Sequence, residues 1–407
     1  MKWSDKRRRE EFPFFCYREE IYLDHAATSQ RPQCVLDAER VFYEKQNANP
    51  FRGLYELGME ATDAYERARK TVQNFLHAQY AEEIIFTRNA TESLNLVAYS
   101  FGCHFLKEGD EIIVSIMEHH SNLLPWQMVA EKTGAKLVFL ECGADGTISK
   151  EQLDFAFTER TKLVAITHVS NVLGCQNPIE EVVRRAHECE AVVVLDAAQS
   201  IAHRPVDVVL LDVDFLAFSG HKMMGPMGIG VLYGKKKWLE QMPPFLRGGE
   251  MIESVSRTGA TFAPLPHRLE AGTVNAAAAV GLEAAIHFIH EIGWEEIRSR
   301  EEELTAYAMN QMEAIPEIHI LGSKDPKNHS GILTFTVEGV HPHDVASILD
   351  ADHIAVRAGH HCAQPLFAHL HIPSATRASL AFYNTKEEVD RFVDCLKPLR
   401  RKMGYGK

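Results

Sequence analysis

The sequence predicts an α/β protein: a large domain built on a mostly parallel sheet flanked by helices, followed by a smaller α+β domain. Three observations predict it. Between about residues 80 and 235, short runs rich in β-branched residues alternate with helical stretches. Several of those runs end abruptly in polar clusters, as strands of an open α/β sheet do when they deliver residues to one crevice. Beyond about residue 275 the rhythm changes to longer helical patterns with isolated strands between them.

Taken in order, residues 1–20 form an N-terminal segment expected to pack on the small domain, residues 21–290 the large domain and residues 291–407 the small one. Strands are expected at 83–86, 111–115, 136–139, 163–167, 191–195 and 215–218. The segment 225–233, Gly-Pro-Met-Gly-Ile-Gly-Val-Leu-Tyr, reads as a turn followed by a strand, antiparallel and at one side of the sheet. Residues 248–266 are rich in Gly, Ser, Thr and Pro and read as a long connection without an element. A long helical pattern covers 275–312, and strands at 332–336 and 377–382 frame helices at 342–350 and 386–400.

Composition narrows the function classes. A chain of 407 residues, 45% hydrophobic, can bury a large core. Its net charge of −13 offers no field for a phosphate backbone, and the one basic run, Lys6-Arg7-Arg8-Arg9, is followed at once by Glu10-Glu11, which argues against nucleic acid as a partner. No secretory h-region and no run of roughly 20 apolar residues is present, so no membrane association and a cytoplasmic location are expected. The eight cysteines are scattered and show no CxxC pair, unlike a disulfide framework or a zinc site.

The most informative stretch is 191–234. One apolar run there enters Asp196-Ala-Ala-Gln199 and another enters Ser219-Gly-His221-Lys222. Two parallel strands would thus place an acid and an amine in one crevice. Pyridoxal phosphate needs both: a lysine to form a Schiff base, and an acid to keep the pyridine nitrogen protonated so that the ring serves as an electron sink. Taken singly, Asp196 could cap a helix and Lys222 could be a solvated amine. Three further clusters fall at strand ends. Thr87-Arg88-Asn89-Ala90-Thr91-Glu92 leads into a helix whose Ala90 and Thr91 amides suit a phosphate, although Asn89 or Thr91 would serve equally as a plain N-cap. Glu118-His119-His120-Ser121-Asn122 offers His119 to stack on a flat ring, or as an ordinary loop or capping residue. Thr167-His168-Val169-Ser170-Asn171 offers Asn171 as a hydrogen-bond donor.

These blocks, Arg-Asn-Ala-Thr-Glu-Ser-Leu-Asn at 88–95, Glu-His-His-Ser-Asn at 118–122, Asp-Ala-Ala-Gln at 196–199 and Ser-Gly-His-Lys at 219–222, resemble the class V aminotransferase family of fold-type I pyridoxal-phosphate enzymes over nearly the whole chain. Within it the similarity is to SufS-type cysteine desulfurases. The resemblance implies a seven-stranded sheet and a homodimer. It also implies that Lys222 holds the cofactor, Asp196 the ring nitrogen and Gln199 the ring oxygen, and that Ser219, His221 and the Thr91 region hold the phosphate. Thr273 of Glu270-Ala-Gly-Thr would join the phosphate from the neighbouring subunit. Arg377 is implied to pair with the substrate carboxylate, as a planar fork can, with Asn171 and Arg357 beside it and Arg52 and Glu92 near the entrance.

The loop Arg357-Ala-Gly-His-His-Cys362-Ala-Gln-Pro365 resembles the desulfurase signature that carries a persulfide-forming cysteine. Gly359 and Pro365 make it a loop, and His360, His361 and Arg357 should favour a thiolate at Cys362. A metal reading of His-His-Cys fails because adjacent residues point apart and no second cluster exists. The implied activity is conversion of L-cysteine to L-alanine with sulfur left on Cys362 for a SufE-like or SufU-like acceptor and iron–sulfur assembly. Selenocysteine lyase, another class V activity through Lys222, and a silent scaffold are the rival readings. The chain departs from the family at Phe51-Arg52-Gly53-Leu54-Tyr55, where aromatics stand at both positions usually held by histidines.

Overall fold

The apolar runs of the first two-thirds of the chain form strands because their branched side chains are buried on both faces of one sheet. The computed structural model describes residues 3–404. In chain order the strands are β1 (Ile21–Tyr22), β2 (Ile84–Thr87), β3 (Glu111–Ser115), β4 (Lys136–Leu140) and β5 (Thr161–Thr167). They continue with β6 (Val192–Asp196), β7 (Phe215–Ser219), β8 (Gly230–Gly234), β9 (Ile252–Val255) and β10 (Ala260–Phe262). The last five are β11 (Ile318–Ile320), β12 (Ile332–Val337), β13 (Ile354–Ala355), β14 (Arg357–Gly359) and β15 (Ala375–Ser379).

Seven strands form the large sheet in the order β2-β8-β7-β6-β5-β3-β4. Only the pairs made by β8 are antiparallel. The expected antiparallel strand is therefore present, but it lies one place in from the edge, with β2 outside it. Glycine allows this. A Cβ on Gly230 would lie 2.5 Å from the Cα of Asn89, so β8 can run beneath the turn that starts the helix Ala90–Val97 only without a side chain there.

The small sheet has the order β11-β12-β15-β14 and is antiparallel throughout. β1 pairs in parallel with β13, and Ile21 and Leu23 are buried with Leu304, Phe335 and Phe392. Residues 21–23 thus belong to the C-terminal unit, although the sequence assigned them to the large one. The N-terminal segment bridges both units, since Phe12 packs on Tyr383 with ring centroids 4.2 Å apart and on Phe288 at 5.8 Å.

Three other expectations change. The helical pattern at 275–312 is two helices, Ala276–Ile292 and Trp294–Glu313, because Gly293 adopts φ 85°, which breaks the run. The C-terminal helix stops at Leu396 and resumes at Leu399–Lys402 after Pro398. The connection at 248–266 contains the exposed hairpin β9–β10, turned by a Ser256 amide bonded to the Gly259 carbonyl. Its side chains are mostly solvated, so it lacks the apolar face that marks a strand in sequence.

Candidate active site

The carboxyl ends of β5, β6 and β7 open into a cavity of about 650 Å3 between the large sheet and the small domain. Asp196 is the last residue of β6, and Ser219 the last of β7, from which a single turn leads to Lys222. Asp196, Gln199, Ser219, His221 and Lys222 all line this cavity. Asp196 is buried and accepts the Ala198 amide at 2.9 Å. Burial raises its pKa, against the pull of that amide and of Lys222, while burial lowers the pKa of Lys222 against the pull of Asp196. Gln199 donates to the Ala26 carbonyl at 2.8 Å, which fixes its amide at the cavity wall.

At one end stands the helix Ala90–Val97, capped by Asn89, whose side chain accepts from the Glu92 amide. The Ala90 amide donates to Ser219 Oγ at 2.8 Å, so this donor is already engaged, and Thr91 Oγ1 meets Ser121 Oγ at 2.8 Å. With the Ala90 and Glu92 amides engaged, the Thr91 amide and these hydroxyls are the donors suited to an anion at this end of the cavity. His221 Nδ1 lies 3.3 Å from Thr28 Oγ1, and burial and Lys222 depress its pKa to about 4.

His119 lines the same cavity and also caps the short turn His120–Asn122, accepting the Ser121 amide on Nδ1 at 3.1 Å. The capping reading is thus observed, in a residue that also lines the cavity. The bond assigns the remaining proton of the neutral ring to Nε2, and burial followed by the charge of Lys222 lowers the pKa to about 3. Beneath it, buried Glu118 accepts from the Thr167 amide at 2.9 Å and from Asn122 Nδ2 at 2.6 Å, tying this loop to β5.

The opposite wall is the Cys362 loop. Cys362 is exposed, and both His361 and Cys362 have left-handed backbones, φ 49° and 56°. The loop is held from below: the His120 amide donates to the Cys362 carbonyl at 2.7 Å, Asn171 Nδ2 to the His361 carbonyl at 2.7 Å, and the Gln364 amide to His120 Nε2 at 3.2 Å. His361 does not supply the positive charge expected beside the thiol. Its ring is buried with Nε2 on the Ala375 carbonyl, and desolvation and Arg377 lower its pKa to about 3.

Arg377 is buried on β15 and donates Nη1 to the Asn171 carbonyl at 2.8 Å, while its Nε has no partner. Arg357 lies directly across from it on β14. Sequence reasoning missed the residue that joins them: Asp24, just after β1, accepts from both. The one available signal was an acid closing an apolar run, as at Asp196. Arg52, Glu92 and Thr273 lie outside the Lys222 cavity. Arg52 pairs with Glu250 at 3.0 Å, whereas Glu92 and Thr273 line a second cavity of about 830 Å3. There Glu270, three residues before Thr273, receives bonds from buried Arg69, Tyr65 and the Phe86 amide.

The donor set of the Lys222 cavity fits pyridoxal phosphate: an amine and a carboxylate from adjacent strand ends, the Thr91 amide with Ser219, Thr91 and Ser121 hydroxyls for a phosphate, and an Arg377 Nε without a partner among the described residues for a substrate carboxylate. Residues 21–392 match the family described as aminotransferase class-V. A probable cysteine desulfurase of Halalkalibacterium halodurans is 50% identical over 385 residues, 95% of this chain and 94% of that one. The apo structure of a cysteine desulfurase from Thermococcus onnurineus superposes with a TM-score of 0.94 at 42% identity, covering 99% of both chains. The cysteine desulfurase CsdA of Escherichia coli, in an S-sulfonic acid form, gives 0.92 at 39% identity over 99% of this chain and 100% of that one. The chain belongs to the aminotransferase class-V family, and its full-length likeness places it with that family's cysteine desulfurases.

Proposed function

We propose that this protein converts L-cysteine to L-alanine with pyridoxal phosphate, leaving the sulfur as a persulfide on Cys362 for delivery to iron–sulfur assembly. One observation carries the reading: an exposed cysteine on a pinned loop lines the same cavity as Lys222 and Asp196. Bound pyridoxal phosphate supplies an electron sink for charge developing at the substrate Cα. Lys222 would hold it, and its desolvated amine, when free, would serve as the base for the Cα proton. Asp196 would keep the ring nitrogen protonated, and Gln199, Ser219, His221 and Thr91 would hold the ring oxygen and phosphate. Arg377 and Asn171 orient the substrate carboxylate, with Arg357 beside them. His119, neutral and protonated on Nε2, would cover the ring and donate from that nitrogen.

The Cys362 thiolate then attacks the substrate sulfur. An S–S bond forms as the C–S bond breaks, the electron pair of that bond stays on the carbon fragment, and protonation releases alanine. The protein acts as a homodimer: Thr273 does not line the Lys222 cavity of its own chain, which supports its serving the phosphate of another copy. Glu92, in that cavity, and Arg52, paired with Glu250, flank the entrance. A SufE-like or SufU-like protein takes the sulfur. Incubating the holoenzyme with L-cysteine, quantifying alanine and mapping peptides for one added sulfur atom tests this. Alanine with the added mass on Cys362 is expected; alanine without sulfur on any cysteine would overturn the relay.

A further inference from the structure

Arg357 and Arg377 face each other across adjacent antiparallel strands, so two guanidinium groups project from the same face of the sheet. Like charges placed directly opposite destabilise a sheet unless something lies between them. Asp24 does. Its carboxylate accepts from Arg357 Nε at 3.1 Å and Nη2 at 2.8 Å, and from Arg377 Nη2 at 3.3 Å. The Asp24 side chain is 14% exposed and that of Arg377 3%, so neither charge is screened well by water. Among the described residues, Asp24 is the carboxylate paired with either arginine. The chain itself explains the placement: β1 runs beside β13, and Asp24 continues it into a bridge with Ser379, two residues beyond Arg377.

The consequence is a count of charge. Two guanidinium groups and one carboxylate leave a single uncompensated positive charge, and it sits on Arg377, where a buried Nε is also without a partner. Arg357 is committed to Asp24 through bidentate bonds, and both it and Cys362 line the cavity. The imidazoles of His119, His221 and His361 have pKa values depressed to about 3, 4 and 3, so they add no cation at neutral pH. We propose that Asp24 is a positioning and specificity-determining residue: by clamping Arg357 and cancelling its charge, it tunes the site to amino acids with one carboxylate and an uncharged side chain, against those with a second anionic group. The proposal deepens the desulfurase reading and rests on it for the identity of the pocket.

Equilibrium titration of the holoenzyme with L-alanine and L-aspartate, followed by the absorbance of the bound cofactor, tests it without turnover. Wild-type protein prefers alanine. Asp24→Asn frees Arg357 and raises the net charge, so the affinity ratio shifts toward aspartate on the order of tenfold, the size of one charge-assisted contact. Asp24→Glu restores the wild-type preference. A merely structural role would weaken both ligands alike, and an unchanged ratio in a folded Asp24→Asn protein overturns the proposal. Should that variant not fold, Arg357→Gln removes the other half of the clamp. Asp24 then cancels Arg377, alanine affinity falls on the order of tenfold, and unchanged affinity overturns the proposal equally. Failure of the desulfurase reading shows separately, as absence of alanine from L-cysteine in the wild-type protein.

Discussion

The two walls of the active-site cavity are built differently. One is the carboxyl edge of the large sheet, where Asp196 and Ser219 are strand residues buried on both faces and Lys222 follows within a turn. The other is a loop of the small domain in which Cys362 is exposed on a left-handed backbone and held by hydrogen bonds from His120 and Asn171. A sheet edge fixes positions through many neighbouring contacts, whereas a loop pinned by three bonds fixes its backbone and leaves its side chain free. Cofactor chemistry demands the first kind of wall. The proposed relay, in which Cys362 collects a sulfur from one molecule and hands it to another, demands the second.

The difference can be broken from either side. Lys222→Ala removes the covalent anchor of the sheet wall, and the expected result is loss of the visible cofactor band with a fall in alanine formation of at least about 10^3-fold. A variant that keeps the band would move the anchor elsewhere. Cys362→Ala acts on the loop wall alone. Persulfide disappears and alanine formation drops by roughly 10^2-fold, while the cofactor absorbance stays at its wild-type value; single-turnover release of sulfide at the wild-type rate without reductant would refute the assignment.

The smallest effect concerns stability and compares a histidine under each wall. His168, below the sheet edge, and His361, in the loop, both have pKa values lowered to about 3, each chiefly by burial, with Arg204 and Arg377 adding repulsion. The native state keeps them neutral while the unfolded chain protonates them below about pH 6.5. Each therefore costs stability as the pH falls from about 6.5 toward 3, by up to about 1.4 kcal/mol per pH unit. Denaturant midpoints at successive pH values should show that slope, and His168→Gln and His361→Gln should each flatten it. A slope untouched by His361→Gln would mean that the loop opens enough to protonate its histidine in the native state.

The sheet wall was legible in the sequence because an apolar run ending in an acid or in Ser-Gly-His-Lys has one natural place in an α/β fold. The strands at 111–115 and 215–219 come within a residue of expectation for the same reason. The loop wall was legible only as a set of residue types. That His361 is a buried strut and not a cation depends on its burial and on Arg377 of β15, against the pull of the Ala375 carbonyl, and nothing local to Gly-His-His-Cys records it. Asp24 was invisible for a related reason: its partners lie more than 300 positions along the chain. The break at Gly293 and the hairpin β9–β10 were missed because one glycine in a helical pattern and a solvated strand carry little periodic signal.

His119 and His120 are neighbours in sequence, yet the first faces the cofactor pocket while the second grips the Cys362 loop by its amide and its ring. The Cys362 loop is therefore not a detachable module. Grafting residues 357–365 onto a related scaffold would transplant a cysteine without its cradle, and an engineer would have to carry the His-His dipeptide along with it.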